Sequence, residues 1–541
     1  MLLCFSCRHA LMMLNSHVRT NQYSTLRFSY DSLKNDTLKQ CFLHCSLWPE
    51  GRCIRKNLLV QLWMGLGLID EPRLQDAYNL GFNYIRRLQA VSLLESDGDN
   101  LVKMHDVIRA MTIWIVNNQG DMNRWIVRAG NYDKPQEIEV FRNTEKLSFM
   151  GNAKEVCLSL TCSSTKLSVL LLDSNGLNNS KSLRLDLFSE LTILNLSYND
   201  LDVFPVEICN LVHLQFLNLS WNLFRSLPKE LANLTKLKYL YLRGINCTFL
   251  KSVLSELKVL RLLDLSCQNP YVENYIEMFP TIEEDLQCLS DFEALGITIS
   301  NMHVFQKFFQ TVNVPVRWLN VQNYNESCFL FSSSFLENVQ LQNNLYSIEI
   351  KYMDAEFIEF ERANANRGNC LLRGLERLKF YFMWNMKEVK WKNLDPKDVF
   401  PRLQVLEFYD CPKLKSISWV VNLPCIQELS VHGSKVMKQL LCINELESSG
   451  IIVSPQSFPF LKKLILMDLF ELEIISNPII TFPVLEVLEV LCCDKLKKLP
   501  FKSSKPPKKL ESIHGSIEWW NNVEMEDGSS KSSLQPFFNK Y

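Results

Sequence analysis

The chain has 541 residues, with 58 Lys+Arg against 59 Asp+Glu and a formal net charge of −1. That balance excludes a scaffold held on nucleic acid by wholesale phosphate neutralisation, and 17 Gly with 20 Pro exclude collagen-like or linker-like chains. With 47% apolar and 22% charged residues the chain can bury a large core, and length alone predicts about three or four domains of ~150 residues.

The opening MLLCFSCRHALMMLNS is apolar but broken by Arg8 and His9. It lacks the charge-then-apolar order and the small-residue cleavage site of a secretory signal. Residues 1–21 stay unassigned. No apolar run reaches the ~18–20 residues of a membrane helix, so no transmembrane segment is expected. The 18 Cys are scattered among apolar positions and read as reduced, buried thiols. A zinc site would have to combine Cys4 and Cys7 with Cys41, His44 and Cys45. The second group lies in the apolar run CFLHCSLWP and no second C-x2-C follows, so core packing is the reading taken and no metal is expected.

From Leu26, LRFSYDSLKNDTLKQCFLHCSLWPEG predicts two helices around a turn. IRKNLLVQLWMGLGLID, from Ile54, predicts a helix with Leu58, Leu59, Leu62 and Trp63 on one face. DAYNLGFNYIRRLQAVSLLE predicts a helix running into a strand, SDGDN at Ser96–Asn100 a turn, and LVKMH the return strand. DVIRAMTIWIV predicts a last helix with Val107, Ala110, Met111, Trp114 and Ile115 on one face. Helices, a hairpin and a helix predict a winged-helix domain over 22–138.

Repeats follow. LSVLLLDSNGL, LTILNLSYNDL, LQFLNLSWNLF, LKYLYLRGINC and LRLLDLSCQN begin at Leu167, Leu191, Leu214, Leu237 and Leu260, spaced by 24, 23, 23 and 23 residues. The template is L-x-x-L-x-L-x-x-N, carried by Leu191, Leu194, Leu196 and Asn199 and again by Leu214, Leu217, Leu219 and Asn222. L-x-L is a short strand with alternate side chains in one core, and the Asn amide closes the turn. Leu201, Phe204 and Pro205, then Phe224, Leu227 and Pro228, lead into the short segments VEICNL and KELANL on the convex side. One coil cannot bury its own edge, so coils stack. Degraded copies start at Trp318, Leu345, Leu375, Leu403, Ile426, Leu461 and Leu485, with Cys411 and Cys493 in the Asn slot. The predicted fold is an α/β solenoid: a leucine-rich-repeat horseshoe over 139–510, preceded by the mostly α winged-helix domain and followed by a tail over 511–541.

YDSLKNDTLKQCFLHCSLWPEGRCIRKNLLVQLWMGLGLID, Met104–His105–Asp106 within KMHDVIRAMTIWI, FPRLQVLEFYDCPKLKSI, FPVLEVLEVLCCDKLKKLP and the tail Gly515 to Asp527 with Trp519 and Trp520 carry a family resemblance. The chain resembles a plant intracellular disease resistance protein of the nucleotide-binding, leucine-rich-repeat type, coiled-coil class, over about residues 22–530. The resemblance implies plant defence, a cytoplasmic chain or one peripheral at the plasma membrane, and a winged helix that ends an NB-ARC nucleotide-binding module. In intact relatives a coiled coil and a P-loop module precede this point. Here no Gly is followed by Lys, so G-x-x-x-x-G-K-[ST] is absent. LLLD at Leu170–Asp173 resembles the Mg-site strand but belongs to the first repeat. The expectation is an N-terminally truncated member, not an enzyme, with no cofactor of its own, whereas relatives hold ADP or ATP.

The resemblance makes Met104, His105 and Asp106 the cofactor-binding candidates, with His105 reaching the β-phosphate of ADP. The competing reading ends a strand at His105 and caps the next helix with Asp106. It is preferred for this chain alone. Tyr198, Trp221, Tyr239, Tyr241 and Arg243 fall on concave x positions and have the composition of a protein hot spot. The expected partners are a pathogen effector or a guarded host protein, and a nucleotide-binding domain that the repeats restrain. Three other functions compete. An extracellular repeat receptor would use the sequons at Asn195, Asn218 and Asn233. DNA binding has only Arg86 and Arg87 in its favour, so no nucleic-acid partner is expected. A ubiquitin-ligase substrate adaptor would need an F-box-like segment that the winged-helix pattern does not match.

Overall fold

The computed structural model describes residues 27–97, 100–117, 124–129, 143–151, 166–178, 185–245, 253–267, 285–300, 305–306, 308–309, 314–322, 327–363, 371–442, 458–477, 480–499, 506–524 and 531–540. Residues 1–21 with Cys4 and Cys7, the tip of the SDGDN turn, and Met525–Asp527 of the tail lie outside them. Two compact units result: 1–264 with 284–293, and 265–283 with 294–541.

The first unit opens with the winged helix. Its helices are α1 (Asp36–Cys45), α2 (Lys56–Gly65), α3 (Leu74–Ala90) and α4 (Asp106–Asn117); its strands are β1 (Ile54–Arg55), β2 (Glu95–Ser96) and β3 (Leu101–Lys103), antiparallel in the order β1-β3-β2. Asn35 starts α1 by accepting the Leu38 N–H at 2.8 Å. α4 departs from its predicted face. Val107 is 45% exposed and Ala110 is exposed, while Met111, Thr112, Ile115 and Val116 are buried. Thr112 is tolerated inside because its hydroxyl donates to Ile108 O at 2.7 Å. A pattern read from apolarity alone passes over it.

The repeat ladder of this unit is parallel: β4 (Trp125–Ala129), β5 (Lys146–Met150), β6 (Val169–Leu171), β7 (Ile193–Asn195), β8 (Phe216–Asn218), β9 (Tyr239–Tyr241) and β10 (Leu262–Asp264). It begins at Trp125, ahead of the expected start at 139, because Trp125 and Ile126 bury like later strand residues. Asn199 does what its slot predicts. Its amide donates to Leu172 O at 3.0 Å and Leu196 O at 2.8 Å, and its oxygen accepts from the N–H groups of Asn175 at 3.0 Å and Leu177 at 3.1 Å. Asn222 repeats the pattern one coil on, donating to Leu196 O and Leu219 O. VEICN and KELAN form short 3-10 turns, Val206–Asn210 and Lys229–Asn233.

The main ladder of the second unit carries ten described parallel strands, from Ala294–Ile299 to Phe538–Lys540. Cys493 substitutes for Asn in kind: its thiol donates to Leu466 O at 3.5 Å and Leu491 O at 3.2 Å. Burial pushes both Cys411 and Cys493 up to about 12, so neither is a reactive thiolate. A second parallel sheet, Cys328–Phe331, Phe357–Glu361 and Glu388–Lys392, was not predicted. Its strands stack Phe331 on Phe360 at 4.6 Å and Phe360 on Trp391 at 4.7 Å. The expected tail also continues the ladder, through Ser512–Gly515 and Phe538–Lys540. Gly515 leaves the room that the Trp519 ring fills, and Trp519 Nε1 donates to Leu496 O at 2.9 Å.

Candidate functional site

In each coil the third template position points away from the coil's own core and should meet water. In the first unit it does not. Val169, Ile193, Phe216, Tyr239 and Leu262 are each at most 1% exposed. The row is apolar, and something covers it.

The cover is the winged helix. α2 ends on Phe216: a Cβ added to Gly65 would stand 2.9 Å from the Phe216 Cβ, so only glycine lets the helix end lie this close. Tyr78 of α3, whose hydroxyl accepts from Gln61 Nε2 at 2.8 Å, faces Tyr241. Arg52 donates to Asp173 at 3.2 Å from the loop before β1. Burial raises the Asp173 carboxyl, while Arg52 opposes the rise.

The most elaborate contact holds the start of α3. Arg73, at the N-cap, offers no side-chain cap. Glu293 supplies it from the repeats, accepting the Leu74 N–H at 2.6 Å. Arg261 pairs with Glu293, Nε to Oε1 at 2.7 Å, and donates to the Glu71 and Pro72 carbonyls at 3.0 and 3.1 Å. A carboxylate at a helix N-terminus is favoured by the dipole as well. Arg261 is 12% and Glu293 27% exposed at the side chain. No local pattern marked these two residues. The readable signal was the apolar row itself.

Tyr239 and Tyr241 are therefore not open to an outside partner: they are 1% and 5% exposed, beneath the winged helix. Burial raises both phenols, Tyr241 well above the usual range. Asn195 and Asn218 are also buried, at 5% and 7%, so their sequons cannot carry glycans in this arrangement. Tyr198 stays 45% exposed and Trp221 and Arg243 half-buried, at the corner beyond the strands. Tyr198 and Trp221 take φ 56° and 61°, a left-handed conformation unusual for such side chains. Their rings stack at 5.7 Å, and Gly244 leaves the space that Trp221 fills.

His105 lies beyond β3 and does not end it. It is itself the cap of α4: its carbonyl accepts the Arg109 N–H at 2.9 Å and its Nδ1 accepts the Val107 N–H at 3.2 Å. Asp106 is the first helical residue, so the capping expected of it falls to its neighbour. With Nδ1 accepting, the ring proton sits on Nε2, and both His105 and Asp106 are exposed. Met104 is buried under the Thr112 hydroxyl, 3.9 Å from its sulfur. Arg109 reaches back to Trp48 O at 2.8 Å.

Residues 47–112 match the winged-helix domain of disease resistance proteins. Disease resistance protein UNI of Arabidopsis thaliana is 28% identical over 529 residues, covering 95% of this chain and 55% of its own length. The probable disease resistance proteins At1g61300 and At5g63020 of the same plant are 30% identical over 491 and 522 residues, covering 89% and 94% of this chain. The chain spans 59% and 54% of those two, little more than half the length of the curated relatives it matches. Among solved structures, an internalin from Listeria monocytogenes covers 74% of this chain and 92% of its own at 17% identity and a TM-score of 0.36. That score is low and adds nothing to the repeats read directly from the strands. Residues 47–112 thus carry the winged helix of disease resistance proteins, and the chain is similar to plant disease resistance proteins over about nine-tenths of its length.

Proposed function

We propose that this chain is the sensing and restraining part of a disease resistance protein of the cytoplasm. The coils from Val169 to Asp264 hold the winged helix closed. The free corner at Tyr198, Trp221 and Arg243 takes part in contact with a pathogen effector or a guarded host protein. A ligand that binds the undocked form better than the docked one releases the winged helix by population shift. The winged helix in turn serves an ADP/ATP switch whose P-loop lies on a neighbouring nucleotide-binding domain. His105 Nε2–H, beside the N-terminus of α4, suits a phosphate oxygen there. The chain itself catalyses nothing.

The observation that carries this reading is the grip of Arg261 and Glu293 on the start of α3. The test is amide hydrogen exchange on the whole chain carrying Arg261→Glu. Release predicts faster exchange in α2 and in Phe216–Asn218, with the second unit unchanged. A uniform change, or none, sinks the reading. Transient expression of the same variant with a nucleotide-binding domain should raise cell death in leaves.

A further inference from the structure

In the second unit, one edge of the repeat stack gathers positive charge and exposed aromatic rings. The strand that follows each coil corner brings equivalent positions into a row. Backbone hydrogen bonds fix the order: Lys387 N–H to Glu356 O at 2.8 Å, Lys415 N–H to Lys387 O at 3.1 Å, Ile417 N–H to Leu440 O at 3.0 Å, which sets Lys415 beside Lys438, and Glu473 N–H to Lys438 O at 2.9 Å. The row thus reads Glu356, Lys387, Lys415, Lys438, Glu473. Two residues before Lys415 stands Lys413, and three before Lys438 stands Lys435.

The charges do not cancel evenly along it. Lys387 is paired with Glu356 at 2.7 Å, and at the far end Lys495 is paired with Glu471 at 2.7 Å. Between them Lys413 donates to the neutral Asn385, which in turn donates to Asp354. Lys415, Lys435 and Lys438 are exposed and make no ion pair among the described residues. Four lysines from two successive coils thus share one patch with no direct ion pair among the described residues, bounded by Glu356 and Glu471, on which Lys413 and Lys438 act at longer range.

Aromatic rings border the patch on the corner side. Trp384, next to Asn385, is 48% exposed and Tyr409 44% exposed. Tyr352 and Phe382 stack at 5.1 Å and 2°, and Tyr352 meets Trp384 at 6.1 Å. Both stacked residues hold φ near +50°, at 52° and 55°, where the equivalent corner at Gly433 uses glycine. The same left-handed corner recurs at Asp410 and Asp468, with φ 54° and 53°, so the turn is common to the coils and, in this unit, the rings are particular to these two. Val436, at 47% exposure, adds an apolar contact among the lysines.

We infer that this edge, Trp384 and Tyr409 with Lys413, Lys415, Lys435 and Lys438, docks an acidic protein segment that carries apolar side chains. The lysines meet its carboxylates and the rings its apolar groups. The size of the patch favours a peptide over a lipid surface. Coils stack about 4.8 Å apart, so the patch is only ~10–15 Å wide, a span that matches a few residues of an extended peptide. The edge shares no residue with the winged-helix contact or with the Tyr198 corner, so the two assignments fail separately.

The test uses the whole chain with two fluorescent probes, poly-glutamate and a random glutamate–tyrosine copolymer, read by anisotropy. Both should bind, the copolymer more tightly, and raising salt from about 0.05 M to about 0.3 M should weaken both. Replacing Lys413, Lys415 and Lys438 by Glu should weaken both about tenfold or more. Trp384→Ala should erase the copolymer's advantage and leave poly-glutamate unchanged. Substitution of the three lysines by Gln guards against a folding artefact and should give an intermediate loss. Binding unaltered in the Glu and Gln variants overturns the inference. So does binding to vesicles containing phosphatidylserine with neither polymer bound.

Discussion

Glu293, on the repeats, accepts the backbone N–H of Leu74 at the first turn of a winged-helix helix more than 200 residues earlier, at 2.6 Å. The helix has no cap of its own, so its start depends on a carboxylate from the surface it rests on. Docking and local helix stability are thereby coupled. Glu293→Gln keeps an acceptor but loses the charge and the Arg261 pair. Glu293→Ala loses both. The expected order of stability of the first unit is wild type, Gln, Ala, with a total loss of about 1–3 kcal/mol. Denaturant unfolding followed by a probe in the winged helix checks it, and an Ala variant as stable as wild type contradicts it.

Gly65→Ala tests close approach rather than charge. In an unencumbered helix the change would stabilise by roughly 0.5–1 kcal/mol. Here the new methyl would lie 2.9 Å from the Phe216 Cβ. The prediction is a destabilisation of about 1–3 kcal/mol. The companion Phe216→Gly, which removes that Cβ, should make Gly65→Ala tolerable in a double-mutant cycle. Additive effects would show that the two residues do not touch.

His44 gives a pH dependence with a definite sign. It is 3% exposed, its Nδ1–H donates to Gln40 O at 2.7 Å, and its ring lies 4.7 Å from Trp125. Burial first, and then Lys146, lower its pKa to about 3. The unfolded imidazole titrates near 6.5. Below that pH the unfolded chain binds the extra proton, so stability falls as pH drops from 6.5 towards 3, by about 1.4 kcal/mol per unit for one group. Asp173, raised by burial, has the opposite sign: its contribution is present in acid and lost as pH rises through its folded value. The variant isolates the effect. His44→Phe should flatten the slope between about pH 6 and 5, read from urea midpoints, whereas a parallel slope would exclude His44 as its source.

The Asn ladder predicts a graded series. Asn199→Ala orphans the Leu172 carbonyl and two N–H groups in a buried turn, Leu196 O keeping its bond from Asn222, at a cost of about 3 kcal/mol or more. Asn199→Cys should fall between the two, because the thiol of Cys493 faces matching carbonyls in its own coil and a backbone N–H at Leu469, but has one hydrogen where the amide has two. Thermal unfolding orders the three. A Cys variant no better than Ala would contradict this account of the Cys coils.

The coils were legible because L-x-L fixes a strand and Asn or Cys fixes its turn, both within a dozen residues. The hairpin of the winged helix was legible for the same local reason. The docked face was half legible. Val169, Ile193, Phe216 and Leu262 stand at positions that should meet water, which announces a cover without saying what it is. Tyr239 and Tyr241 were misplaced for the same reason: an aromatic x residue reads alike whether it faces solvent or a winged helix. Arg261 and Glu293 had no signature at all, since their partners Glu71, Pro72 and Leu74 lie about 190 to 220 residues away. At His105 the error was one residue, because a histidine ring took the capping role that composition assigns to Asp.

The central claim is that the winged helix closes the face of the first repeats. Hydroxyl-radical footprinting of the whole chain measures this directly, residue by residue. Tyr198, at 45% exposure, should be oxidised, while Phe216, Tyr239 and Tyr241 should be protected, and Arg261→Glu should unmask those three without changing Tyr198. Oxidation of Tyr239 and Tyr241 in the unaltered chain at the rate of Tyr198 would contradict the account.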